Sequence, residues 1–307
     1  MDILFQLLLL AVGFFFLAKG ADFFVDGSAS IAAKFKIPQL IIGLTVVAMG
    51  TSAPEAAVSI SAALGGSADI TIGNILGSNI LNILVILGVS SLIAVLKVAK
   101  STVWIDIPIM TGATVLLLCL GLDGVISTLD ALIIFLVFVA FIVYMIISAI
   151  KSNEKGDDIR LMSVPKSLFF AVLGLIMIIL GSRFTVDSAT YIAKVLGVSD
   201  RFIGLTVVAL GTSLPELFTS VMAARKGNAD IAIGNIVGSN IFNILFIVGL
   251  SGLIIPVPFP KGFIFDSYVA LGACVLLFLL CFRKKQLGRL AGLVMLLGYA
   301  AYFACIL

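Results

Sequence analysis

Residues 41–84, IIGLTVVAMGTSAPEAAVSISAALGGSADITIGNILGSNILNIL, recur without a gap at residues 202–245 as FIGLTVVALGTSLPELFTSVMAARKGNADIAIGNIVGSNIFNIL, with well over half of the positions identical. A duplication of this size defines an architecture before any single element is assigned. Weaker matches carry it backwards, pairing Gly20 with Gly181, Val25 with Val186, Asp26 with Asp187 and Ile31 with Ile192. Soluble solenoid units are shorter, so a stacked repeat array does not account for it.

Hydrophobic residues make up 62% of the chain and charged residues 11%, where a soluble domain carries about a quarter charged. Apolar runs at Leu4–Leu17, Leu40–Ser61, Ile70–Ile93, Val103–Leu122 and Leu129–Ile150 precede a charged stretch, and Leu168–Gly181, Phe202–Ala224, Ile231–Ile255, Phe263–Phe282 and Leu287–Leu307 follow it. Most are long enough to cross ~30 Å of hydrocarbon as helices. The predicted fold is therefore an all-α integral membrane protein of about ten transmembrane helices, five per repeat, with no room for a soluble domain. An odd number of crossings makes the second unit enter from the opposite side, which gives an inverted-topology repeat. The expected division is a first repeat over 1–150, a linker over 151–166 with SNEKGDD at its centre, and a second repeat over 167–307.

Charge distribution supplies an orientation. With the amino terminus outside, the cytoplasmic side receives Lys34, Lys36, Lys97, Lys100, Lys151, Lys155, Arg160, Lys166, Arg225, Lys226, Arg283, Lys284, Lys285 and Arg289, with Lys19 at a helix end beside them. The outer side holds Arg183, Lys194, Arg201 and Lys261. Positive charge marks the cytoplasmic side, so both termini are expected outside, with Ser67 and Lys261 outside and Lys155 and Lys285 inside. The scatter of basic residues among short loops gives no stripe for nucleic acid. The first apolar run follows Asp2 with no Lys or Arg before it and no small-residue cleavage pattern after it, so it reads as a helix and not as a secretory signal. Cys119, Cys274, Cys281 and Cys305 fall inside spans without metal-site or disulfide spacing and read as packing residues.

The chemistry sits in two adjacent spans of each half, as GTSAPE (Gly50–Glu55) with GNILGSNILN (Gly73–Asn82), and GTSLPE (Gly211–Glu216) with GNIVGSNIFN (Gly234–Asn243). Pro54 and Pro215 cannot donate to the carbonyls of Gly50 and Gly211, so each helix breaks or kinks there. Freed carbonyls at membrane depth are tolerated where they are buried in protein or line a cavity, and they suit hard cations. Thr51 and Glu55 share one helical face, as do Asn74, Ser78 and Asn82, with matching faces in the second half. Inversion brings the two Glu faces together near mid-membrane, where Glu55 and Glu216 form a carboxylate pair. SAPE and SLPE also read as capping boxes, with Ser52 and Ser213 as caps. A cap contributes ~1 kcal/mol and an acidic residue at mid-membrane costs roughly 2.5–3.5 kcal/mol, so capping alone does not offset the burial, although both roles can coexist.

Gly73 with Gly77 and Gly234 with Gly238 form GxxxG patterns suited to close helix packing. Asp69 and Asp230 open helices and read as structural. Ser78, Asn82, Ser239 and Asn243 read as ligands or as interhelical hydrogen bonders. Oxygen donors with no His anywhere in the chain argue for Ca²⁺ and other hard cations against zinc or copper, and exclude His-dependent proteases.

The doubled GTSxPE and GNxxGSNxxN motifs in opposed five-helix halves resemble the alpha repeats of the cation/calcium antiporter superfamily, especially its sodium/calcium exchangers, here as a prokaryotic-type transport core. The resemblance implies a calcium site of Glu55, Glu216, Thr51 and Thr212. It also implies flanking sodium sites of Ser78 and Ser239, carbonyls at Ala48 and Ala209, and hydroxyls at Ser52 and Ser213, with Asn82 and Asn243 bordering the middle site. It further implies that the first and sixth helices slide across a fixed core. The linker has no room for the large regulatory insert of animal plasma-membrane exchangers. Position 243 is usually Asp in the potassium-dependent branch and Asn in many potassium-independent members. The expected activity is secondary active exchange of Ca²⁺ for Na⁺, electrogenic and potassium-independent, with these ions as substrates, no cofactor, the lipid bilayer as surroundings and no evident obligatory protein partner. Calcium/proton antiport would use the same carboxylates, and spacing leaves it open. A passive cation channel fits less well, because channel pores usually assemble by rotational symmetry.

Overall fold

The structure, a computed structural model, describes residues 3–66, 68–151, 162–197 and 209–306, the side chains of Asp69 and Ala209 excepted. In the first half, α1 spans Ile3–Phe35, α2 Gln39–Thr51, α3 Ala53–Leu64, α4 Ile70–Ile93, α5 Thr102–Gly121 and α6 Thr128–Lys151. In the second, α7 spans Val164–Val195, α8 Ala209–Thr212, α9 Leu214–Arg225, α10 Ala229–Ile254, α11 Gly262–Cys281 and α12 Arg289–Ile306. Among the described residues, eight single helices and the bent α2/α3 pair have the length and apolarity to cross a membrane. The tenth span, expected at Phe202–Ala224, is described from Ala209 onward, its earlier part lying outside the described residues along with Ser67, Lys155, Arg160 and Arg201. This is the expected membrane architecture of two inverted five-span repeats.

Inversion is visible in how equivalent helices meet. Gly13, Gly20 and Gly27 of α1 face Gly181, Gly174 and Ser167 of α7 in that order, so the two first helices run antiparallel along a seam of small residues spaced by seven. A Cβ on Gly174 would stand 2.6 Å from the Gly20 carbonyl oxygen and 2.5 Å from the Phe24 nitrogen. Such backbone approach is what small residues provide in membranes, where burying apolar surface gives no drive to associate.

Two spans expected from their apolar runs are corrected by this seam. Leu4–Leu17 and Leu168–Gly181 are only parts of helices of 33 and 32 residues, about 50 Å long, which must cross obliquely. Lys19 and Arg183 consequently lie inside helices and not in a loop or at a helix end, while Lys194, expected in a loop, sits in the last turn of α7. Lys226, just past α9, ties α1 to it: its Nζ donates to the Asp22 backbone oxygen at 2.9 Å and to Asp26 Oδ1 at 2.6 Å, and pairs with the Asp22 carboxylate.

The connecting loops depart from an all-helical chain in a small way. Four two-residue strands pair across the repeats, β1 (Leu96–Lys97) with β4 (Gln286–Leu287) and β2 (Val125–Ile126) with β3 (Val257–Pro258), both antiparallel. Each pair joins loops that the alternation of spans puts on one side. The two interior helices are α4 and α10, the most buried of the spans. Cys274 and Cys281 are buried as packing residues, whereas Cys119 and Cys305 are exposed, which corrects the packing role expected of them. The GxxxG expectation holds in the second half, where a Cβ on Gly234 would meet the Leu40 carbonyl oxygen at 2.9 Å and one on Gly238 the Leu44 carbonyl oxygen at 2.5 Å. In the first half a Cβ on Gly73 would meet the Phe263 ring at 3.2 Å and one on Gly77 meets nothing described within 4 Å, while Gly204 and Leu205, the sequence counterparts of Gly43 and Leu44, lie outside the described residues.

Candidate functional site

Each broken span turns at a serine. Ser52 has φ −80° and ψ 10°, Ser213 φ −87° and ψ 4°, and α2 and α3 meet at 51°. The ladder resumes around the break through the Ser52 nitrogen to the Ala48 oxygen and the Ala56 nitrogen to the Ser52 oxygen, both 3.0 Å. Pro54 and Pro215, in the first turns of α3 and α9, have no N–H for the carbonyls of Gly50 and Gly211. Ser182 of α7 supplies a substitute for one of them, donating to the Gly211 oxygen at 2.7 Å.

The capping reading of the two serines is corrected here, because neither hydroxyl bonds its own helix end. Ser52 Oγ donates instead to Glu216 Oε1 at 2.8 Å, and Ser213 Oγ to Glu55 Oε1 at 3.5 Å. Each hydroxyl therefore serves the other half's carboxylate. Ser78 Oγ also donates to Glu55 Oε1 and lies 3.5 Å from Ser213 Oγ. Ser239 Oγ donates to the Ala48 carbonyl at 3.4 Å, which joins α10 to the last turn of α2. The described part of α8 is Ala209–Thr212, with Thr212 half-buried before the break.

Glu55 is 1% exposed and Glu216 0%. Their Oε1 atoms are bonded as above, and their Oε2 atoms have no hydrogen-bond partner. Asn82 and Asn243, at 1% and 0% exposure, likewise keep an unpartnered Oδ1 each. Both begin π-helical segments, Asn82–Leu87 and Asn243–Val248, a local widening that recurs at functional sites. Among the described residues no Lys or Arg is buried, so the four unpartnered oxygens have no protein cation to meet. A buried carboxylate oxygen left bare costs several kcal/mol per ion unless a charge compensates it.

Residues outside the expected set complete the frame. Asn74 Nδ2 donates to Ser59 Oγ at 3.0 Å and to the Glu55 carbonyl at 3.4 Å, and Asn235 Nδ2 does the same to Ser220 Oγ at 2.9 Å and the Glu216 carbonyl at 3.4 Å. Thr51 Oγ1 donates to Asn235 Oδ1 at 2.9 Å, which leaves the threonine's lone pairs free to accept a cation. Asn79 and Asn240 cross the boundary between the repeats. Their recurrence at the same motif position was the signal available in the sequence. The arrangement is a dyad of oxygen donors at a double helix break, held between inverted halves in a lipid-embedded bundle, which defines a secondary cation transporter.

Comparison with known proteins gives the family. The family model described as "Sodium/calcium exchanger protein" matches residues 5–147 and 166–307. The inner membrane protein YrbG of Escherichia coli is 36% identical over 96% of this chain and 95% of its own length. The sodium/calcium exchanger MaX1 of Methanosarcina acetivorans is 32% identical over 96% of each chain. A solved structure of the sodium-calcium exchanger NCX_Mj, soaked with zero Na⁺ and Ca²⁺, superposes with a TM-score of 0.88 at 31% identity and covers all of both chains. The chain belongs to the sodium/calcium exchanger family and is a multi-pass membrane cation/calcium antiporter.

Proposed function

We propose that this antiporter exchanges calcium for sodium by alternating access, with both ions bound in turn at the dyad of Glu55 and Glu216. The observation that carries the reading is the set of four buried, unpartnered oxygens, Glu55 Oε2, Glu216 Oε2, Asn82 Oδ1 and Asn243 Oδ1. Two carboxylates balance one Ca²⁺, and carboxylate, amide, hydroxyl and carbonyl oxygens are the donors such an ion takes. In this reading Thr51 and Thr212 complete the calcium site. Ser78, Ser239, Ser52, Ser213 and the carbonyls of Ala48 and Ala209 form flanking sodium positions, and Asn82 and Asn243 border the centre. Sodium as the coupling ion is supported by relatives named as sodium/calcium exchangers. The charge asymmetry of the loops supports external termini and a cytoplasmic linker, expected over 151–166 and bounded by α6, which ends at Lys151, and α7, which begins at Val164.

The test is purified protein in liposomes, with calcium uptake driven by imposed sodium, proton or potassium gradients in turn. A sodium gradient is expected to drive uptake and a pH gradient alone to fail, whereas uptake following only pH identifies calcium/proton antiport. Glu55→Gln and Glu216→Gln should each abolish exchange while the folded protein still accumulates, because one carboxylate leaves the divalent charge half-compensated. Thr51→Val and Thr212→Val should weaken transport less. Wild-type exchange in either Gln variant removes the pair from the mechanism.

A further inference from the structure

Two asparagines of the duplicated motif lie one position beyond the face that carries Ser78 and Ser239. Asn79 and Asn240 are 3% and 1% exposed and meet where α4 crosses α10. Asn79 Nδ2 donates to the Asn240 backbone oxygen at 3.2 Å, and Asn240 Nδ2 donates to the Asn79 backbone oxygen at 3.1 Å. Their Oδ1 atoms accept from the site asparagines, Asn79 from Asn243 Nδ2 at 3.0 Å and Asn240 from Asn82 Nδ2 at 2.9 Å. Four asparagines thus form one belt across the pseudo-twofold axis.

We propose that Asn79 and Asn240 are positioning residues of the ion site, which fix Asn243 and Asn82 with their amide oxygens, and not their nitrogens, toward the ion. The inference rests on the cation-binding reading above. A backbone carbonyl can only accept, so the Asn240 carbonyl requires the nitrogen of Asn79 to face it. Asn79 must then present its oxygen to Asn243, and Asn243 must answer with its nitrogen. The atom left over on Asn243 is an oxygen, and the mirror chain of constraints leaves an oxygen on Asn82. These are the two amide oxygens without a partner. Without the belt, each site amide could turn its N–H groups toward a cation, an arrangement that repels it. Orientation of a ligand by a neighbouring hydrogen bond is a recurrent device at metal sites, where its loss weakens affinity.

A double-mutant cycle tests this, read as the calcium concentration that half-saturates the thermal stabilisation of purified protein in detergent. Asn79→Ala is expected to raise that midpoint about tenfold in the wild-type background. In the Asn243→Ala background, which has no amide left to orient, the same change should move it less than about twofold. Equal factors in both backgrounds, or no change in the single variant, overturn the proposal, because a residue that only packs would weaken binding alike with or without Asn243. A wild-type protein that shows no stabilisation by calcium overturns the cation-binding reading itself, an outcome distinct from either. Should Asn79→Ala fail to accumulate, the mirror cycle of Asn240→Ala with Asn82→Ala carries the same outcomes.

Discussion

At the scale of single residues, the broken helices and the two carboxylates were readable from spacing, because a proline four residues after a glycine and a glutamate beside it have few uses at membrane depth. The belt was not. Helical periodicity puts Asn74, Ser78 and Asn82 on one face and leaves Asn79 about 100° away, facing a region whose occupant only the crossing of α10 reveals. The alternative reading of the break serines as caps fails for a similar reason, since local spacing shows the cap each could make and not the carboxylate of the other half that it serves. The belt also constrains substitution at the site. Asn243→Asp would set a carboxylate oxygen against Asn79 Oδ1, now 3.0 Å from the Asn243 nitrogen, and turning the Asn79 amide would only move the clash to the Asn240 carbonyl. We expect a loss of about 1–3 kcal/mol, the cost of facing buried acceptors, seen as a lower unfolding temperature in cation-free buffer. Adding Asn79→Ser, whose hydroxyl can rotate to donate to the new carboxylate, should recover more than half of it. Losses that simply add would contradict the shared hydrogen bond.

Among the elements, the lengths of α1 and α7 escaped the apolar-run reading because that reading measures affinity for lipid. Beyond Leu17, α1 carries Gly20, Ala21, Ser28 and Ala29, all buried, so its second half is written for a protein neighbour and looks unremarkable on a hydropathy scale. Small residues every seven positions were visible in the sequence, but the partner strip on α7 gives them meaning. Gly174→Leu should force the two backbones apart, since even its first carbon would lie 2.5 Å from the Phe24 nitrogen. Overpacking of this kind costs about 1–3 kcal/mol or more, measurable as a drop in unfolding temperature and in yield of monodisperse protein. Gly112→Ala on α5 is the control: a Cβ there meets nothing within 4 Å, and alanine favours a helix over glycine by roughly 0.5–1 kcal/mol. A Gly174 variant as stable as the Gly112 variant would show that the seam does not hold the pair.

For the whole molecule, inversion makes orientation and charge movement measurable consequences of the same repeat. In a background lacking Cys119, Cys274, Cys281 and Cys305, a cysteine at Lys261 should react with an impermeant reagent applied to intact cells, while one at Lys285, in the loop joined to β1 through β4, should not. The reverse labelling would turn the molecule over. Charge movement follows from the site's composition. In the proposed site Glu55 and Glu216 are the two carboxylates and Asn82 and Asn243 are neutral, so on that reading the core carries Ca²⁺ with no net charge. If three sodium ions replace one calcium ion, the sodium-loaded core carries one positive charge across the membrane. A potential of 100 mV then biases the cycle by ~2.3 kcal/mol, about a fiftyfold change in the calcium gradient that balances a fixed sodium gradient. Exchange of one Ca²⁺ for two monovalent cations, sodium or protons, would leave the site neutral in both states and the balance point independent of voltage. Proteoliposomes adsorbed to a solid-supported membrane distinguish these directly. A sodium jump should give a transient current in the direction of sodium movement, absent from Glu216→Gln, whereas calcium flux without current would replace the electrogenic cycle with a neutral one.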